Sequence, residues 1–295
     1  MEMGSKLQMI LTMSLFGTVS LFVKHIPLSS AEISLYRGLI ALMVLMGYLI
    51  LRRSMGRFSS VKGCRLLLLL SGAALAFDWI FFLEAFHYAS VAVATLCYYF
   101  APVLVVAGSA FFFREKLSPK QFLCFVGATA GVVLIIGVSG GSGVNGIRGI
   151  LCSLTAAFFY AVVVLLNKAA PQTDGVARTV LQLTGAVIVL IPYVGFTGGY
   201  HIGSLGPIAL GNLFILGAFH TGLLYFVYFS ALSRLRGQES AILSYFDPLV
   251  AVLVSILVLG ESVTGLQLAG GGAILLFTLL NEIAWKKPAS LAERL

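Results

Sequence analysis

Forty residues of this chain recur without a gap 146 positions further on. Phe82–Gln121 reads FLEAFHYASVAVATLCYYFAPVLVVAGSAFFFREKLSPKQ, and Tyr228–Gln267 reads YFSALSRLRGQESAILSYFDPLVAVLVSILVLGESVTGLQ. In one register the copies share Ala85 with Ala231, Tyr99-Phe100 with Tyr245-Phe246, Pro102 with Pro248, Ser109 with Ser255, Glu115 with Glu261 and Gln121 with Gln267. Each copy is an apolar segment interrupted by a proline, followed by a Glu and then by an S/T-x-x-Q helix start, Ser118–Gln121 or Thr264–Gln267. Such a chain is expected to fold as two like units packed on one another.

The solvent for those units follows from their content. With 59% hydrophobic and 10% charged residues and a mean hydropathy of +1.02 over 295 residues, the chain is too apolar for a water-soluble domain, where about 25% of residues are charged. Backbone groups in a bilayer must find partners internally, which leaves helices or a closed barrel, and apolar runs of roughly 18 residues without alternation select helices. The expected fold is an all-α membrane protein of ten transmembrane helices, at about 7–23, 30–51, 65–86, 91–113, 119–138, 147–166, 176–196, 204–232, 240–259 and 265–285. They divide into a first repeat (7–138), a flexible connector (139–146, SGGSGVNG) and a second repeat (147–285).

Charge gives orientation. With the N-terminus in the cytoplasm, all but three of the 19 Lys and Arg fall on the cytoplasmic side: Lys24 and Arg148 lie outside and Arg37 within a span. Both termini are therefore expected to be cytoplasmic, in the plasma membrane. The net charge of +8 sits at helix ends rather than on a basic-aromatic face, which argues against nucleic acid. Five spans per half make the second repeat inverted, the arrangement that renders inward-open and outward-open states nearly equivalent. Cys64, Cys97, Cys124 and Cys152 lie in or beside apolar segments without CxxC spacing and read as packing residues, so neither metal nor cofactor is expected.

The run DWIFFLEAFHYASVAVATLCYYFAPVLVVAGSAFFFREKLSPKQ, its copy around Pro248 and Glu261, and Arg37 in SLYRGLIALMVL resemble the EamA-type carriers of the drug/metabolite transporter superfamily. The resemblance spans nearly the whole chain. It implies two inverted five-helix repeats, with a central cavity lined by the first four helices of each and the fifth peripheral, and it names no substrate.

Polar residues that break the repeat are the candidates for contact with a solute or an ion: Arg37 has Leu181 as its counterpart, and Asp247 has Ala101. A capping box at Ser29–Glu32 opens the second span, so Arg37 lies roughly 12 Å deep, and Asp78 lies at about the same depth in the third. Since an unpaired intramembrane charge costs at least about 2.5–3.5 kcal/mol, Arg37 and Asp78 are expected to form an ion pair, either a structural clasp or part of the site. Glu84, about one turn from the outer end, is either a gate-edge group or a coupling carboxylate. Asp247 is a candidate proton carrier, or an acid that fills the backbone gap left by Pro248. Trp79, Tyr98, Tyr99 and Tyr245 are rings for a cavity wall or for packing, and His220 is an intramembrane imidazole that either titrates or stays neutral and bonded. Pro102 and Pro248 are matched kinks, either hinges or fixed bends. Glu115 and Glu261 are expected to satisfy loop donors and the next helix's N-terminus, and the Gly127–Gly131 GxxxG face either packs within a monomer, the favoured reading, or forms a dimer.

These features favour a secondary carrier of a small organic solute (amino acid, amine or related metabolite) working by alternating access, with export and proton coupling both open. A passive channel is the alternative. The chain holds no GxxxxGK[ST], HExxH, GxSxG or DDxxD pattern, which argues against ATP drive and against an integral-membrane enzyme.

Overall fold

Hydrocarbon forces each segment to satisfy its own backbone, and every regular element among the described residues is helical. The structure, a computed structural model, describes residues 2–114, 118–139, 144–170, 173–232, 235 and 242–282. The helices are α1 (Glu2–Phe16), α2 (Val19–Val23), α3 (Ser30–Leu51), α4 (Arg65–Tyr88), α5 (Val91–Tyr98), α6 (Ala101–Phe112), α7 (Pro119–Ser139), α8 (Val144–Ala169), α9 (Gly175–Thr197), α10 (Pro207–Phe214), α11 (Leu224–Leu232), α12 (Phe246–Leu253) and α13 (Gly265–Glu282). A 3-10 segment (Met55–Cys64) leads into α4; a π-helical turn (Ile215–Leu223) joins α10 to α11, and another (Val254–Val258) extends α12. Among the described residues, eight helical stretches are long and apolar enough to cross a bilayer, and two shorter apolar helices, Ile242–Val258 and Gly265–Asn281, accompany them.

Helix starts obey local chemistry. The Ser29 hydroxyl accepts from the Glu32 amide while the Glu32 carboxylate accepts from the Ser29 amide. Ser118 with Gln121, and Thr264 with Gln267, make the same reciprocal pair at α7 and α13. Asp174 caps α9 by accepting from the Val176 and Ala177 amides.

Three spans are interrupted. The first breaks at Gly17-Thr18, the fourth at Tyr99-Phe100 and the ninth at Tyr245, the last two at matching positions of the repeat. Pro102 and Pro248 fall in the first turn after the interruption, where a missing N–H leaves no bond unmade, so each sits just past a local break in the helix rather than at the expected kink within it. The expected connector also differs: Val144–Gly146 are already helical, and residues 140–143 lie outside the described residues.

Glycines set the crossings. A Cβ on Gly72 of α4 would stand 2.1 Å from the Gln182 carbonyl oxygen, and one on Gly185 of α9 would stand 2.3 Å from that of Leu69. Gly131 of α7 and Gly270 of α13 face each other in the same way, at 2.6 and 2.8 Å from the opposing carbonyl oxygens. Small residues thus let backbones meet, and the GxxxG face is used inside the chain.

The loops fall into two sets by contact. In one set Lys24 pairs with Glu261, Glu261 accepts from the Val91 amide, Arg148 stacks on Tyr88, and Glu32 pairs with His201. In the other Arg57 pairs with Asp174, and Lys168 donates to Ser109.

Candidate functional site

Arg37 lies two turns into α3 and is 9% exposed. Gly38, next to it, leaves room for α4: the Trp79 ring would lie 3.4 Å from a Cβ there. The guanidinium carbon rests 4.0 Å from the centre of the Trp79 ring, a cation–π contact worth about 2 kcal/mol when desolvated. Asp78, 3% exposed, precedes Trp79 on the same helix.

The expected ion pair between Arg37 and Asp78 is not formed. Contacts between acidic and basic groups among the described residues join Lys24 to Glu261, Arg57 to Asp174 and His201 to Glu32, whereas Arg37 and Asp78 feel each other's charge across a gap wider than an ion pair. Consecutive helical side chains point about 100° apart, so a guanidinium laid flat on Trp79 is turned away from Asp78. Tyr98 and Tyr225 are the other polar neighbours of Arg37, and Tyr98 lies beside Asp78 as well. Arg37 Nε and Asp78 Oδ1 are buried without hydrogen-bond partners. Each bare polar atom in such a place costs about 1–3 kcal/mol.

Aromatic rings lead from there to the second carboxyl group. Phe82 and Tyr98 are 4.5 Å apart between ring centres, Tyr98 and Tyr99 6.3 Å, and Tyr99 and Tyr245 5.9 Å, with Tyr160 also 5.7 Å from Tyr98. The Tyr99 hydroxyl donates to Asp247 Oδ2 at 3.0 Å and lies 3.2 Å from the Ser244 carbonyl. Residues 78, 79, 98, 99, 245 and 247 therefore form one group, drawn from both repeats and built around the breaks at Tyr99 and Tyr245. The break at Gly17 belongs to it too, because a Cβ there would stand 2.6 Å from the Asp247 carbonyl oxygen.

His220 lies in the first π-helical turn, with Nε2 3.1 Å from Thr18 Oγ1. Thr18 spends its proton on the Leu15 carbonyl, so the imidazole is the donor in this contact. Phe22 covers the ring at 4.8 Å. Glu84 stands apart from the group: it accepts from Ser30 Oγ at 2.8 Å, about 10 Å along α3 from Arg37.

Sequence reasoning missed two polar assemblies. Gln182 donates to Ser71 Oγ at 2.8 Å and to Asn167 Oδ1 at 3.2 Å, tying α9 to α4 and α8. Glu261, expected to satisfy loop donors, accepts from the Val91 amide at the start of α5 and also gathers Lys24 and Ser255 Oγ. The Ser and Glu shared by both copies of the repeat were the available signal for that second assembly. Glu115 lies outside the described residues.

A model of the EamA-like transporter family matches residues 5–137 and 147–282. The chain is 31% identical over 256 residues to the uncharacterized transporter YxxF of Bacillus subtilis (strain 168), covering 84% of this chain and 79% of that one. It is 27% identical over 281 residues to an uncharacterized transporter of Archaeoglobus fulgidus, covering 94% and 95%. A Salmonella typhimurium protein named "Probable amino-acid metabolite efflux pump" is 28% identical over 190 residues, covering 61% and 64%. A solved crystal structure superposes with a TM-score of 0.61 at 18% identity, covering 100% of both chains, a likeness of fold.

Proposed function

The chain belongs to the EamA-like transporter family, and from that premise we propose that it is a secondary carrier that moves a small carboxylate-bearing metabolite of the amino-acid kind by alternating access. The observation that carries the reading is the buried group at the helix breaks: a guanidinium with an unspent Nε, a carboxyl with an unspent Oδ1, and rings between them and Asp247. Arg37 offers a carboxylate the planar donor face that Trp79 holds in place. Asp78 takes an ammonium, and the rings of Trp79, Tyr98 and Tyr99 take the side chain.

Ten crossings in two inverted repeats fit the loop contacts. The connections after spans one, three, five, seven and nine meet one another, and those after spans two, four and six meet one another, as alternate ends of a ten-span bundle would. Ser109 and Ser255, equivalent in the repeat, serve opposite sets, which supports an inverted arrangement of the halves. In the orientation set by Lys and Arg, the Lys24 end faces outward. The relative named as an efflux pump favours export.

Asp247, bonded to the Tyr99 hydroxyl and facing no basic side chain among the described residues, carries the coupling proton in this reading. The test is uptake of radiolabelled amino acids into proteoliposomes under an imposed pH gradient. Wild-type flux responds to the gradient and Asp247→Asn flux does not; equal responses remove the proton from Asp247, and absence of uptake for every amino acid tried removes the substrate class.

A further inference from the structure

Three spans of this chain are broken beside the candidate site, and the same three are tied together at one end of the bundle. Lys24 closes the first span after the short α2, Val91 and Ala92 open the fourth at α5, and Ser255 and Glu261 end the ninth. The Glu261 carboxylate accepts from the Lys24 ammonium, from the Val91 amide at 2.7 Å and from Ser255 Oγ at 2.5 Å. Ser255 Oγ in turn accepts from the Ala92 amide at 3.1 Å. Gly260 makes this possible. Its φ of +64° turns the chain back at the end of the ninth span, so that the Glu261 amide donates to the Ser255 carbonyl and its side chain folds over the α5 N-terminus.

We propose that Lys24 and Glu261 are the latch that holds this end of the transport path shut, with α2, α5 and the last turns of the ninth span as the parts that swing when it opens. The proposal rests on the alternating-access reading for what the opening serves; the closure itself is read from contacts. Each of these segments ends at a break next to Asp247 or Tyr99, so it can pivot there without unwinding the rest of its span. Lys24 is 32% and Glu261 15% exposed, so water reaches the pair. Ion pairs at that exposure stabilise weakly, which suits a contact that must part in every cycle.

The repeat places like parts at the other end. Arg114 stands where Gly260 stands in the second copy and adopts the same left-handed turn, with φ of +55°. Lys168, 144 positions after Lys24 in the sequence, donates to Ser109, the counterpart of Ser255, at 3.2 Å. At both ends a lysine from one repeat thus meets the other repeat, through Glu261 at one end and Ser109 at the other.

Hydrogen exchange on the full-length protein in lipid nanodiscs, without ligand, tests the latch. In Lys24→Met the amides of Val19–Val23 and Val91–Tyr98 exchange about fivefold faster than in wild type, while those of α7 and α13 are unchanged. Lys24→Arg, which keeps the charge, stays within about twofold of wild type. Glu261→Gln follows Lys24→Met. Two results overturn the proposal: wild-type exchange in Lys24→Met, or acceleration spread evenly over all helices, which marks a general loss of stability. The measurement needs no substrate, so a failure to find transport leaves the latch standing, and an unchanged exchange pattern leaves the carrier reading standing.

Discussion

Arg37 illustrates how much a single residue commits the chain to. A guanidinium is planar and spreads its charge, so it lies flat on an indole and still presents donors at its edge; a lysine ammonium does neither. Arg37→Lys therefore keeps the charge and loses the geometry, and uptake falls by about thirtyfold if a desolvated cation–π contact of about 2 kcal/mol is lost. Trp79→Leu gives a loss of the same size, and scanning calorimetry of both variants checks that the fold survives. Tyr99→Phe removes the single hydrogen bond to Asp247, worth about 1 kcal/mol, so flux falls roughly fivefold. Its pH profile moves toward that of Asp247→Asn, because the same carboxyl is disturbed.

The charged residues of this group were legible in the sequence, since they break an otherwise apolar repeat. Their pairing was not: depth along a helix follows from counting, whereas the direction of a side chain depends on which neighbour has no Cβ, here Gly38. Glu84 shows the same gap. Counting places it near an end of the bundle, and only the structure gives its partner, Ser30.

At the scale of elements, the breaks and the glycine crossings mark which helix junctions the proposed cycle would bend and which it would keep fixed. Pro102→Ala restores an amide at the start of α6 and lets the fourth span run through as one helix. The expected result is a protein that folds normally and transports several-fold more slowly, read by uptake alongside thermal unfolding. Gly72→Ala has the opposite character. Its Cβ would sit 2.1 Å from the Gln182 carbonyl oxygen, so α4 and α9 must separate at a cost of about 1–3 kcal/mol, and the unfolding temperature drops whatever becomes of transport. The capping boxes at Ser29, Ser118 and Thr264 were readable because S/T-x-x-E/Q is local chemistry. The π-helical turns and the Gly17 break were not, because they answer to the packing of one span against another: the first span can reach Asp247 and Ala251 only where Gly17 offers no side chain.

The whole molecule is two copies of one unit, made unlike by a few charges. In the proposed carrier, equal halves would supply two states of similar energy, and unequal charges would give the site something to hold. The repeat, the apolar runs and the basic loops made the membrane architecture visible in the sequence, and the family match at residues 5–137 and 147–282 follows the same division. The junction of the halves was less legible, since Gln182, Ser71 and Asn167 meet only across the fold.

A carrier must return to bind again, whereas a pore need not, and counterflow in proteoliposomes separates the two. With unlabelled amino acid trapped inside, labelled amino acid outside should accumulate transiently above its equilibrium level, and Arg37→Ala should abolish the overshoot. Uptake that is indifferent to the trapped solute, at a rate set only by the outer concentration, would show an open passage and contradict alternating access.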